Sequence, residues 1–102
     1  MPAKYDAYIV YHGGRYLVRP AFVVIPPSGK FTICNMTDFA DAEVTLPLSK
    51  VRGSHKKRTD LSAGIRDLDF NLATSGEFFE YQVVVDGYPA EGESDPVIIV
   101  DP

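Results

Sequence analysis

The chain has 102 residues, 45% of them hydrophobic, and a formal net charge of −4. That length predicts one domain, residues 1–102, able to bury a core without staples. The mild acidity argues against general nucleic-acid binding. The single cysteine, Cys34, excludes an internal disulfide.

No apolar run approaches the ~20 residues of a membrane span. Residues 1–6 also lack the apolar run of a secretory leader, so a cytoplasmic location is expected. Nearly every apolar run is short, β-rich and bounded by Gly, Pro, Asn or Asp, which is an all-β pattern.

The first predicted element is a hairpin, 6–12 and 15–19, closed by Gly13-Gly14. Two glycines supply the positive φ angles of a primed turn. The register pairs Tyr11 with Tyr16 and Ile9 with Val18 on one face, taken as the core side. Tyr8 with Arg19 and Val10 with Leu17 fall on the other.

Pro20 has no N–H and interrupts the ladder. Residues 21–25 resume an apolar strand, and Pro26-Pro27-Ser28-Gly29 turns the chain. Residues 30–35 follow as a strand, with Phe31 and Ile33 on one face and Thr32 and Cys34 on the other. Residues 42–48 alternate through Val44, Leu46 and Leu48, with Pro47 near an edge or end.

From 49 to 63 the pattern dissolves; Asp60 offers an N-cap for one short helical turn. Residues 67–73 alternate through Leu68, Phe70 and Leu72. Gly76 opens a strand to Val85, a loop follows, and Asp95-Pro96-Val97-Ile98-Ile99-Val100 forms the last strand. Seven or eight strands are enough for two packed sheets.

Two segments resemble the cupredoxin family. In 20–46 the order is a proline, an apolar strand, a Gly-led turn, a strand ending in Asn, a loop and another strand. Pro20, Phe22-Val23-Val24-Ile25, Gly29, Ile33 and Asn35 carry it. Gly76, Phe79 and Tyr81 match the opening of the family's second signature. The resemblance implies a Greek-key β-sandwich.

It also locates where copper ligands would stand, and this chain lacks them. Phe39-Ala40-Asp41-Ala42 replaces the first histidine, Gln82 or Val83 the cysteine, and 86–94 holds neither His nor Met. The N-terminal hairpin has no assigned place in the resemblance.

A blue-copper site needs a His₂Cys set with a weak axial ligand. Nothing in the pattern joins Cys34, Met36, His12 and His55, and Cys34 reads as a buried thiol. No nucleophile stands at motif spacing from His55, and neither a zinc spacing nor a phosphate loop is present. No enzyme activity and no cofactor are therefore expected.

Lys50, Arg52, Lys56, Lys57 and Arg58 hold five of the ten Lys and Arg. They read as a solvated loop or as a contact for an anionic partner. Asp38, Asp41, Asp86, Glu91, Glu93 and Asp95 would gather at one end of a cupredoxin-like fold, as solvated acids or as oxygens for Ca²⁺.

Tyr8, Val10, Leu17 and Arg19 are the candidate protein contact. Three large side chains on one side of two strands need a cover, from the chain itself, a second protomer or another protein. Tyr8 over Arg19 is also a candidate cation–π pair. The sequence thus points to a non-catalytic protein-binding or structural module, monomer or homodimer. A calcium-binding domain is the alternative, and a copper electron carrier is disfavoured by the missing ligands.

Overall fold

The computed structural model of the chain describes residues 5–27, 29–37, 39–47, 58–62, 66–72, 76–90 and 95–101, and of residues 58–61 and 66 the backbone alone. Its first hairpin has the expected register. β1 (Ala7–His12) and β2 (Arg15–Arg19) pair Tyr11 with Tyr16, Ile9 with Val18, Val10 with Leu17 and Tyr8 with Arg19. Gly13 and Gly14 have φ of +62° and +78°. That left-handed region is what a primed two-residue turn requires, and glycine enters it without a Cβ clash.

At Pro20 the chain leaves this sheet. β3 (Phe22–Ile25) pairs in parallel with β11 (Val97–Val100), far along the sequence. β4 (Lys30–Asn35) returns and pairs in parallel with β1. The N-terminal hairpin is therefore no appendage, because β1 lies between β2 and β4 inside a sheet ordered β2-β1-β4-β7. Here β7 is Arg66–Asn71, antiparallel to β4.

The second sheet has the order β10-β9-β5-β6 and the third β3-β11-β8. Their strands are β5 (Ala42–Thr45), β6 (Arg58–Leu61), β8 (Glu77–Glu80), β9 (Gln82–Val85) and β10 (Tyr88–Pro89). Only Tyr81 separates β8 from β9. A single stretch of chain thus pairs with β11 at one end and with β5 at the other, and joins the two smaller sheets.

The fold is all-β, as expected, but with eleven strand segments among the described residues rather than seven or eight. Three differences account for the count. The long C-terminal strand is split at Tyr81. Asp86-Gly87 folds the chain straight back as β10. β6 occupies a stretch expected to be irregular. Its Asp60 is no helix cap but a ladder residue opposite Glu43; pairing with β5 supplies what local pattern does not show.

The core draws on all three sheets. Ile9, Val18, Phe31 and Ile33 meet Val44, Leu46, Leu72, Val83, Val85, Ile98 and Val100, all essentially solvent-free. Phe31 links the layers: its ring lies edge-on to Tyr81 at 5.0 Å and stacks with Phe70 at 6.4 Å. Such pairs contribute roughly 0.5–1.5 kcal/mol each beyond the area they bury.

Asn35, at the end of β4, is fully buried and organises the loop behind it. Its side-chain amide donates to the carbonyls of Ala40 and Ser62, and its oxygen accepts from the Thr37 N–H and hydroxyl. All of its polar capacity is used, as burial demands. The loop it shapes carries Phe39 to the surface.

Candidate functional site

The hairpin face proposed from sequence lies on the outer side of the sheet β2-β1-β4-β7, but it is not an open patch. Leu17 is buried, and Tyr8 and Val10 are half-buried within the single chain. Tyr8 faces Cys34 across the parallel ladder, and its ring meets Tyr5 edge-on at 5.7 Å. Arg19 is exposed, and its guanidinium donates to the Val18 carbonyl. Leu17 is therefore not available as a partner contact, being buried within the single chain.

The opposite face of the hairpin also departs from expectation. Ile9 and Val18 enter the core, whereas Tyr11 is 50% exposed and Tyr16 half-buried. Both tyrosines share the core-facing parity. They sit beside the turn, beyond the edge of the opposing layer, so parity places them over a cleft rather than in the core.

Of the basic cluster, Lys50, Arg52, Lys56 and Lys57 lie outside the described residues, and Arg58 contributes only its backbone, to β6. Of the acids, Asp38, Glu91 and Glu93 also lie outside. Asp41 and Asp86 do meet, the Asp86 N–H donating to the Asp41 carbonyl at 3.3 Å. With Glu43 they line a depression of about 490 Å³. Among the described residues no three His, Cys, Asp or Glu side chains gather closely enough to share a metal ion. Cys34 is buried, and its thiol donates to the Met36 sulfur at 3.6 Å.

Two surfaces hold six of the seven exposed large hydrophobic side chains among the described residues. The first is the outer face of β3-β11-β8. The ladder sets Phe22, Val97 and Glu80 in one row and Val24, Ile99 and Phe78 in the next. Phe22, Val24 and Phe78 are 62%, 54% and 76% exposed, and Val97 and Ile99 are half-buried between them. A groove of about 340 Å³ runs along Phe78, Val97 and Ile99.

Along β8 and β11 the charges on this face have one sign. Strand alternation continues the face from Val97 and Ile99 to Asp95 on one side and Asp101 on the other. Glu80 stands in the first row itself. The described residues of β8 and β11 and their immediate flanks include no Lys or Arg. The signal was present in the sequence: Phe22/Val24, Phe78/Glu80 and Val97/Ile99 are period-two sets. Assigning them to solvent needs the strand order, because a buried sheet face has the same pattern.

The second surface is a cleft of about 370 Å³ beside the Gly13-Gly14 turn, lined by Tyr11, Tyr16, Asp86, Tyr88 and the turn backbone. Tyr11 and Tyr16 are cross-strand neighbours, ring centroids 5.0 Å apart. Phe39 supports Tyr11 edge-on at 5.5 Å. The far wall comes from the Asp86-Gly87 turn, with φ of +52° and +82°. Asp is among the few non-glycine residues that tolerate this region. Asp-Gly is also a strong primed-hairpin signal, one the sequence reading passed over in treating 86–94 as a loop.

The Tyr16 phenol is held above its ordinary value, first by partial removal from water, then by the Asp86 carboxylate and the Tyr11 and Tyr88 phenols.

No protein-family model, curated protein or solved structure matches the chain.

Proposed function

We propose that this chain is a non-catalytic protein-binding module of cupredoxin-like, Greek-key sandwich architecture, and that it docks a basic partner protein on the outer face of β3-β11-β8. The observation that carries the reading is the double row Phe22–Val97–Glu80 and Val24–Ile99–Phe78, with Phe22, Val24 and Phe78 exposed and the carboxylates of Glu80, Asp95 and Asp101 on the same face.

Contiguous exposed apolar surface rimmed by polar groups is the physical mark of an interaction site. Full burial of each large side chain would contribute roughly 1.5–3 kcal/mol. The acidic rim selects the occupant. Two copies face to face would oppose Glu80, Asp95 and Asp101 to like charges, whereas a partner with an apolar centre and a Lys/Arg rim meets opposite charge.

The architecture in this reading rests on strand order. The chain crosses between β2-β1-β4-β7 and the joined smaller sheets at β2 to β3, β3 to β4, β4 to β5, β6 to β7 and β7 to β8. Sequential strands that alternate between layers, rather than pairing as a meander, support a Greek key.

A photo-crosslinking residue at position 78 tests the docking surface in cells. A discrete heterologous adduct is expected, lost in Glu80→Lys/Asp101→Lys and in Phe22→Ala/Val24→Ala. An adduct of twice the chain's own mass would make the occupant a second copy. No adduct, or one indifferent to charge reversal, would overturn the reading.

A further inference from the structure

Independently of the sheet face, we propose that the cleft beside the Gly13-Gly14 turn binds a quaternary or methylated ammonium group, enclosed by the rings of Tyr11, Tyr16 and Tyr88 and neutralised by Asp86. The rings supply negative π faces, which attract a cation electrostatically. Tyr11 and Tyr16 form one wall at 5.0 Å centroid separation, with Phe39 behind them. Tyr88, 66% exposed on β10, stands on the other. The 370 Å³ between them is within the small-molecule range of roughly 300–1,000 Å³.

Asp86 decides the charge of the ligand. Its carboxylate makes no ion pair among the described residues. The left-handed turn that it opens also carries Tyr88, so one local structure delivers the anion and the third ring together. Arg15 also lines the cleft, but its backbone register opposite His12 starts its side chain on the other face of the hairpin from Tyr11 and Tyr16. Among the described residues no ion pair joins it to Asp86.

The aromatic lining decides the type of cation. A metal ion would need several oxygen ligands, and Asp86 is the single carboxylate lining the cleft among the described residues; a bare ammonium is more strongly hydrated than a methylated one. A methylated ammonium is weakly hydrated and has an apolar shell, so the same rings serve as π face and as hydrophobic wall. A neutral polyol would leave Asp86 without a counter-charge.

The test is an NMR titration of the full chain with choline and with its uncharged isostere 3,3-dimethyl-1-butanol. Choline should saturably shift the signals of Tyr11, Tyr16 and Tyr88, with the isostere about tenfold weaker or more. Asp86→Asn should weaken choline several-fold. Tyr88→Ala should weaken it about tenfold and Tyr88→Phe little, since the ring and not the hydroxyl makes the contact. Tyr88 is too exposed for either change to unfold the domain, and circular dichroism verifies this.

Parallel titrations with a trimethyllysine peptide and with phosphatidylcholine vesicles identify which source of the group the cleft accepts. The proposal is overturned if the isostere matches choline or Asp86→Asn is without effect. It is equally overturned if the shifts lie elsewhere, or if a neutral sugar saturates the cleft and choline does not.

Discussion

Two outward sheet faces carry large apolar side chains, and they have opposite fates. On β2-β1-β4-β7, Leu17 is 8% exposed and Cys34 is fully buried. On β3-β11-β8, Phe78 is 76% exposed and Phe22 62%. Both faces follow from the same period-two alternation, and both look away from the shared core. Alternation tells which side chains point away from the core; it does not tell whether something lies over them. On the first face, the Tyr5 ring lies edge-on to Tyr8 and the Met36 sulfur accepts from the Cys34 thiol. On the second, a two-row apolar band ends in carboxylates.

The largest expected effect tests the covered face. Leu17→Ala should lower stability by about 3 kcal/mol in urea unfolding, the cost of truncating a buried leucine. A loss within about 0.5 kcal/mol would place Leu17 on the surface and erase the contrast between the faces.

An intermediate effect tests how β8 presents its side chains. Gly76 has φ of +68°, and its N–H donates to the Asp101 carbonyl at 3.2 Å, starting the strand that holds Phe78 outward. Gly76→Val should cost about 1–3 kcal/mol, because a β-branched residue is strained in that region. Gly76→Ala should cost less than Gly76→Val. An unchanged urea midpoint for both would mean that the turn does not constrain β8.

The smallest effect tests the open face. Phe78→Ala with Val24→Ala should change stability by no more than about 0.5 kcal/mol per site, since most of each side chain is already in water. A loss of several kcal/mol would mean that this face is also covered, and the docking surface would lose its basis.

Much of the fold was legible in local pattern. Gly13-Gly14 specified the hairpin register, because a two-residue primed turn leaves one pairing that keeps Ile9 and Val18 together. Phe31, Ile33, Val44, Leu46, Phe70 and Leu72 stand inside as their alternation requires. The β6 strand was not legible, since its ladder to β5 joins residues such as Asp60 and Glu43 that have no apolar period. Asp86-Gly87 was readable as a turn, and β10 with Tyr88 follows from it.

The candidate sites divide along the same line. Tyr8, Val10, Leu17 and Arg19 were identifiable as sharing a face, and they do share one, but Leu17 is buried, Tyr8 and Val10 are half-buried and Arg19 is exposed. Phe22, Val24 and Phe78 showed the same alternation as core strands. Their exposure depends on β11 lying between β3 and β8, a parallel and an antiparallel pairing that span most of the chain. Tyr11 and Asp86 are separated by the length of the domain and meet at one cleft only through the sheet order.

By itself, then, the amino-acid order determined what depends on neighbours a few residues apart: most strand positions, the glycine turn and the faces of each strand. Steric limits on φ and the two-residue period act at that range. The tertiary structure alone decided which faces meet solvent and which side chains from distant strands share a cleft. Burial is a property of what packs above a residue, and in this chain that neighbour is a strand brought in by non-local pairing.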